Sequence, residues 1–90
     1  MKPVLVTTEF RGIFFGYAKD MKKLPAEITL KNARNCLYWS SECNGFLGLA
    51  SDGPNKECKI GAKVPKLTIY KITSVSPTTK KAAKKWDAFT

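Results

Sequence analysis

Histidine is absent from this chain, arginine occurs only twice, as Arg11 and Arg34, and only 7 of the 90 residues are acidic. The missing histidine removes the one side chain whose ordinary pKa lies near neutrality, and with it Ser–His and Cys–His nucleophile activation and the commonest metal ligand. No GxSxG elbow, no GxxxxGK(S/T) phosphate loop and no pair of carboxylates at an acid–base spacing occurs. Cys36 beside Arg34 is the only arrangement resembling an activated thiol, and it reads better as a small hydrophobe in an apolar strand. The chain therefore reads as a non-enzymatic protein. Its three cysteines, Cys36, Cys43 and Cys58, are odd in number and irregularly spaced, without the paired ligands of a zinc site. Neither a metal nor another cofactor is expected. No secretory apolar region opens the sequence, and no apolar run approaches the roughly 20 residues that span a bilayer. These features predict reduced thiols in a cytoplasmic protein that does not enter a membrane.

What the chain does have is apolar residues and positive charge. Hydrophobic residues make up 43% and aromatics 11%, enough to fold, and 90 residues make one domain, residues 1–90. A domain of this size buries a modest core, so completion by a second copy, a homo-oligomer, is expected. The formal charge of +9 sets up a field that attracts phosphates, anionic surfaces or acidic proteins. Nearly all of it is lysine, a flexible point charge rather than the planar fork that reads phosphate bidentately.

Pro3 to Thr8 is β-branched and continuous enough for a strand, and Glu9 to Gly12 turns it into a second strand, Ile13 to Lys19. Gly16 in that second strand predicts a bulge or bend that curls the sheet. Asp20 to Pro25 reads as a charged loop. Ile28 and Leu30 alternate with Glu27, Thr29 and Lys31, the period-two pattern of a half-buried strand. Asn32 to Asn35 then predicts a tight turn and Cys36 to Trp39 a fourth strand. Phe46 to Ala50 stands between strand and helical turn and is assigned as strand. Ser51 to Pro65 is the longest irregular stretch. Leu67 to Val75 is expected to be the central strand, with a change of phase near Tyr70 and Lys71. Pro77 near the first helical position, with Ser76, Thr78 and Thr79, starts a C-terminal helix over about residues 78–89. It is amphipathic, with Ala82, Trp86 and Phe89 on one face and Lys80, Lys81, Lys84 and Lys85 around the other, so Trp86 should dock on the sheet or on a neighbour.

Three groups of residues suggest binding. Arg34, Asn35, Tyr38 and Trp39 supply a guanidinium, an amide and two rings within six residues, the types that stack a base and bond its edges. Successive strand residues point opposite ways, so one of the two aromatics should belong to the core. Lys56, Lys59 and Lys63 lie in the long loop around Gly53 and Gly61, where ammonium groups and backbone N–H groups can wrap an anion or merely be solvated. Arg11, in the first turn, is the other guanidinium in reach of an anion. The lysine face of the C-terminal helix can follow a nucleic-acid backbone or an acidic protein groove, or serve only solubility.

The segments VLVTTEFRGIFFGYAKD and EITLKNARN resemble the glycine-bearing strand, charged loop and following strand of small SH3-like and Sm-like barrels. VLVTTEFRGIFFGYA, ARNCLYWSS, GFLGLASDGP and IGAKVPKLTIYKITSV together are similar to an uncharacterised family of short proteins encoded by bacteriophages and prophages. The resemblance implies no catalytic residues. It implies a host-directed role in the host cell cytoplasm, such as sequestering a nucleotide immune second messenger. The expectation is thus a mainly β fold, a small SH3-like or Sm-like partly open barrel of five to six strands with a C-terminal amphipathic helix. Its expected role is counter-defence by binding an anionic ligand. Two alternatives stand beside it: a protein–protein inhibitor of a host immune complex, for example CRISPR-Cas, and an RNA- or DNA-binding small barrel.

Overall fold

A computed structural model describes residues 1–9, 12–19, 25–39 and 45–89. They form six antiparallel strands and two helices: β1 (Lys2–Thr8), β2 (Ile13–Ala18), β3 (Glu27–Tyr38), α1 (Gly45–Ser51), β4 (Lys59–Ile60), β5 (Val64–Tyr70), β6 (Ile72–Pro77) and α2 (Lys80–Ala88). The sheet runs β4-β3-β2-β1-β6, and β5 pairs with β3 on the edge it shares with β4. The mainly β class and the C-terminal helix expected from the sequence are both present. The sheet stays open, because no ladder joins β5 to β6 among the described residues.

The burial pattern explains the hydrophobic pattern strand by strand. Val4, Leu5 and Val6 are all buried because both faces of β1 are covered: Leu5 packs on one face, and Val4 and Val6 on the other. A strand covered on both sides reads as a continuous apolar run. The inner face gathers Val4, Val6, Ala18, Ile28, Leu30, Ala33 and Ile69. On the outer face Leu5, Ile13, Phe15 and Cys36 meet Leu49 and Ala50 of α1 and Ala83 and Trp86 of α2. The first half of β3 instead alternates strictly, with Ile28 and Leu30 buried and Glu27, Thr29 and Lys31 exposed. Among the described residues no helix covers the outer face there.

Several sequence-based expectations are corrected. The turn expected at Asn32 to Asn35 does not reverse the chain, and β3 is one strand of 12 residues. Asn32 takes φ of 52°, and three steps of β3, Lys31 to Arg34, stand opposite two steps of β2, Phe15 to Tyr17. That is a bulge, with one additional residue on β3. Gly16 lies opposite it, where an added Cβ would come 2.7 Å from Leu30 Cβ, so the glycine serves close strand approach at the bulge. Phe46 to Ala50 lies in a helix, not a strand. Seven residues do not hold a helix alone; α1 is anchored through Thr79, whose N–H donates to Ala50 O and whose hydroxyl donates to Ser51 O. Within the stretch read as irregular, β4 forms and β5 begins at Val64.

The expected central strand from Leu67 to Val75 is two strands, and neither is central. Lys71 takes φ of 58°, a left-handed conformation that turns the chain between β5 and β6. β5 then borders the sheet beside β3, and β6 borders it at the other end beside β1. Pro77 closes β6 opposite Val4 instead of starting the helix, at a sheet edge where its missing N–H is tolerated. The N-cap is Thr79, whose hydroxyl accepts from Ala82 N at 3.1 Å. Trp86 docks on the sheet as the helical pattern predicts, fully buried and stacked on Phe15 with ring centroids 5.1 Å apart. No helix among the described residues is long and apolar enough to cross a membrane. Asp20 to Leu24 of the loop expected from Asp20 to Pro25, Phe10 and Arg11 of the first turn, and Ser40 to Asn44 lie outside the described residues.

Candidate functional site

Most of the residues singled out from sequence lie on the second half of β3, on β4 and in the segments that flank β4. Beyond the bulge the phase of β3 shifts, so Arg34 joins Cys36 on the helix-covered outer face and is only 8% exposed. Its Nε donates to Gly61 O at 2.9 Å, and its Nη1 donates to Trp86 O at 2.9 Å and to Phe89 O. Those last two carbonyls belong to the C-terminal end of α2, where a cation complements the helix dipole. The guanidinium is thereby committed to the fold. Asn35 is half-buried, accepts from Gly61 N at 2.8 Å, and packs so closely that a Cβ at Gly61 would collide with its Oδ1.

Of the two aromatics, Trp39, just beyond β3, packs against the outer-face core, and Tyr38 is exposed. Tyr38 stands across from Lys59. Lys63 approaches α2, 3.5 Å from Asp87 Oδ1 and 3.3 Å from the Asp87 carbonyl. Lys56 shares a cavity of about 540 Å³ with Lys85 and Asn55. Arg11 lies outside the described residues. Cys36 and Cys58 are buried in the outer-face core, and Cys43 lies outside the described residues. No group of three or more His, Cys, Asp or Glu fit to hold a metal occurs among the described residues.

Asp87 also ties the helix to β2. Tyr17 Oη donates to Asp87 Oδ2 at 2.6 Å. Burial, then the hydrogen bond to Asp87 and its negative charge, raise the Tyr17 pKa from 10.0 to about 12. The folded protein thus holds this proton more tightly than the unfolded chain does, so the contribution is fully present below pH 10 and is lost as pH rises through about 12. We expect Tyr17→Phe to flatten the alkaline loss of stability in that window, measured as urea midpoints of the variant against wild type. A parallel decline in the two proteins would refute the linkage.

The uncovered outer face carries a different constellation, which charge counting alone did not single out. Lys31 and Lys66 are direct cross-strand partners, Thr29 pairs with Thr68, and Glu27 pairs with Tyr70. All six are exposed, and the threonine hydroxyls are 2.9 Å apart. Lys19, just beyond β2, faces the same cavity of about 540 Å³ as Lys31 and Lys66, with Thr29 and Glu27 on its wall. No ion pair to a carboxylate engages these three lysines among the described residues. Like charges directly opposite on neighbouring strands cost roughly 0.2–1 kcal/mol, a small penalty that an anion between them would reverse. The alternation of Glu27 to Lys31 was the available signal for this bare face; the apposition of Lys66 depends on register.

Residues 1–86 match the family model of a domain of unknown function, DUF6948. No curated protein and no solved structure matches the chain.

Proposed function

We propose that this chain, which belongs to the DUF6948 family of domains of unknown function, is a non-enzymatic binding domain for an anionic ligand, most simply a phosphate-bearing nucleotide. The observation that carries this reading is the Lys31·Lys66 apposition, joined by Lys19 at one cavity on the face of β3 and β5, where no ion pair to a carboxylate engages the three lysines among the described residues. Natural sequences break a local rule of this kind mainly where function repays it. A phosphate seated there accepts from several ammonium groups at once, and hydrogen bonds between charged partners are the strong ones. The cavity volume falls within the range of small-molecule sites.

The biological setting we propose is a phage-encoded counter-defence protein that sequesters a nucleotide immune second messenger in the host cytoplasm. Its support is the phage-family resemblance of the sequence together with the phosphate chemistry of the lysine cluster. A second reading, inhibition of a host immune complex by direct protein contact, is favoured by one observation. Leu37, Leu47 and Tyr38 are 66%, 60% and 53% exposed, large apolar side chains of the kind a protein partner covers.

Native mass spectrometry with linear and cyclic nucleotides at two salt concentrations tests the first reading. A stoichiometric complex is expected with wild type. Lys31→Ala/Lys66→Ala should weaken it about 10- to 100-fold, as loss of charge-assisted contacts worth roughly 1.5–3 kcal/mol implies. Absence of any nucleotide complex would overturn this reading and favour the protein-contact one.

A further inference from the structure

The strip beside the lysines is graded in charge along its length. Its first row is Lys31·Lys66, its second the hydroxyl pair Thr29·Thr68, and its third Glu27·Tyr70. Rows on one face of a strand are two residues apart, so the lysine row and the tyrosine row are separated by about 13 Å. That exceeds the reach of a mononucleotide from its phosphate to its base. Tyr70 is 63% exposed and stands directly across from Glu27 in the ladder of β3 with β5.

Resting on the nucleotide reading above, we propose that the ligand of this face is a single-stranded oligonucleotide segment of at least dinucleotide length, with phosphate on Lys31, Lys66 and Lys19 and a base stacked on Tyr70. Exposed aromatic rings are sequence-tolerant stacking platforms when a basic groove holds the backbone. The hydroxyls of Thr29 and Thr68 bridge the interval and offer donors to sugar or phosphate oxygens. The Glu27 carboxylate repels phosphate from the tyrosine end, so the charge gradient sets which way the strand lies. An acidic protein segment fits the lysine row but gains nothing from a carboxylate at the far end.

Fluorescence anisotropy or calorimetry with 5′-phosphorylated diadenylate, in ribose and deoxyribose forms, against adenosine monophosphate and an acidic peptide tests the proposal. With wild type the dinucleotide is expected to bind about tenfold or more tighter than the mononucleotide, a margin typical of one stacked base. Tyr70→Ala should erase that margin while leaving mononucleotide affinity unchanged, and Tyr70→Phe should keep it. Equal affinities for dinucleotide and mononucleotide would overturn the extended-strand proposal and leave the nucleotide reading standing. Binding of neither would overturn both, and peptide affinity matching the dinucleotide would point to an acidic protein instead. Tyr70 is 63% exposed and belongs to neither core cluster, and circular dichroism of each variant confirms that the fold is intact.

Discussion

Trp86→Ala is expected to lower the free energy of unfolding by about 3–5 kcal/mol, the range for deleting a large buried aromatic. Trp86 has no exposed surface, stacks on Phe15 at an interplanar angle of 4°, and donates its indole N–H to Leu49 O at 3.0 Å. The substitution therefore opens a cavity between sheet and helices, removes an aromatic pair, and leaves a buried carbonyl of α1 without that donor. A domain this small has roughly 5–10 kcal/mol in all, so the variant should be marginal at 25 °C. Urea denaturation followed by circular dichroism reads the loss as a drop in midpoint. Trp86→Phe should recover most of the packing but not the hydrogen bond, with a loss of about 1–2 kcal/mol. If alanine costs less than 1 kcal/mol, the helix is not docked as described.

Arg34→Ala is expected to cost about 3–4 kcal/mol, because it removes three hydrogen bonds from a cation to backbone carbonyls, two of them at the end of α2. Arg34→Lys should recover little. Lysine lacks the planar fork that reaches Gly61 O from one nitrogen while another serves Trp86 O and Phe89 O. The effect should be read in stability and in protection of α2 amides from hydrogen exchange, since the helix loses its C-terminal anchor. In a nucleotide titration under conditions where the variant is folded, Arg34→Ala should leave affinity unchanged, whereas Lys31→Ala/Lys66→Ala should lower it. Loss of affinity in a folded Arg34→Ala protein would return the guanidinium to the ligand site. The two variants separate a residue that builds the fold from residues offered to a ligand.

The contrast between those residues shows what could be read from the chain. Arg34, Asn35, Tyr38 and Trp39 drew attention as chemical types close in sequence, and type alone does not say what a side chain faces. Arg34 faces the helix-covered outer side because Asn32 inserts a bulge that shifts the phase of β3, and its partners in α2 and its C-cap lie 52 and 55 residues away. Lys31 and Lys66 looked ordinary in sequence because neither has a suggestive neighbour. Their pairing exists only through the register of β3 with β5.

By itself the sequence determined the β-rich class, the strands from Pro3 to Ala18, the half-covered alternation of Glu27 to Lys31, and a C-terminal helix that buries Trp86. Each of these follows from local periodicity, capping chemistry and turn residues, which act within a few positions of one another. Only the tertiary structure decided that Leu67 to Val75 divides at Lys71 between opposite borders of the sheet, that Phe46 to Ala50 is helical, and which cations are spent on the fold. Those outcomes rest on contacts between distant segments. A single left-handed residue or one-residue bulge redirects every side chain beyond it, and a seven-residue helix persists only where another element covers it.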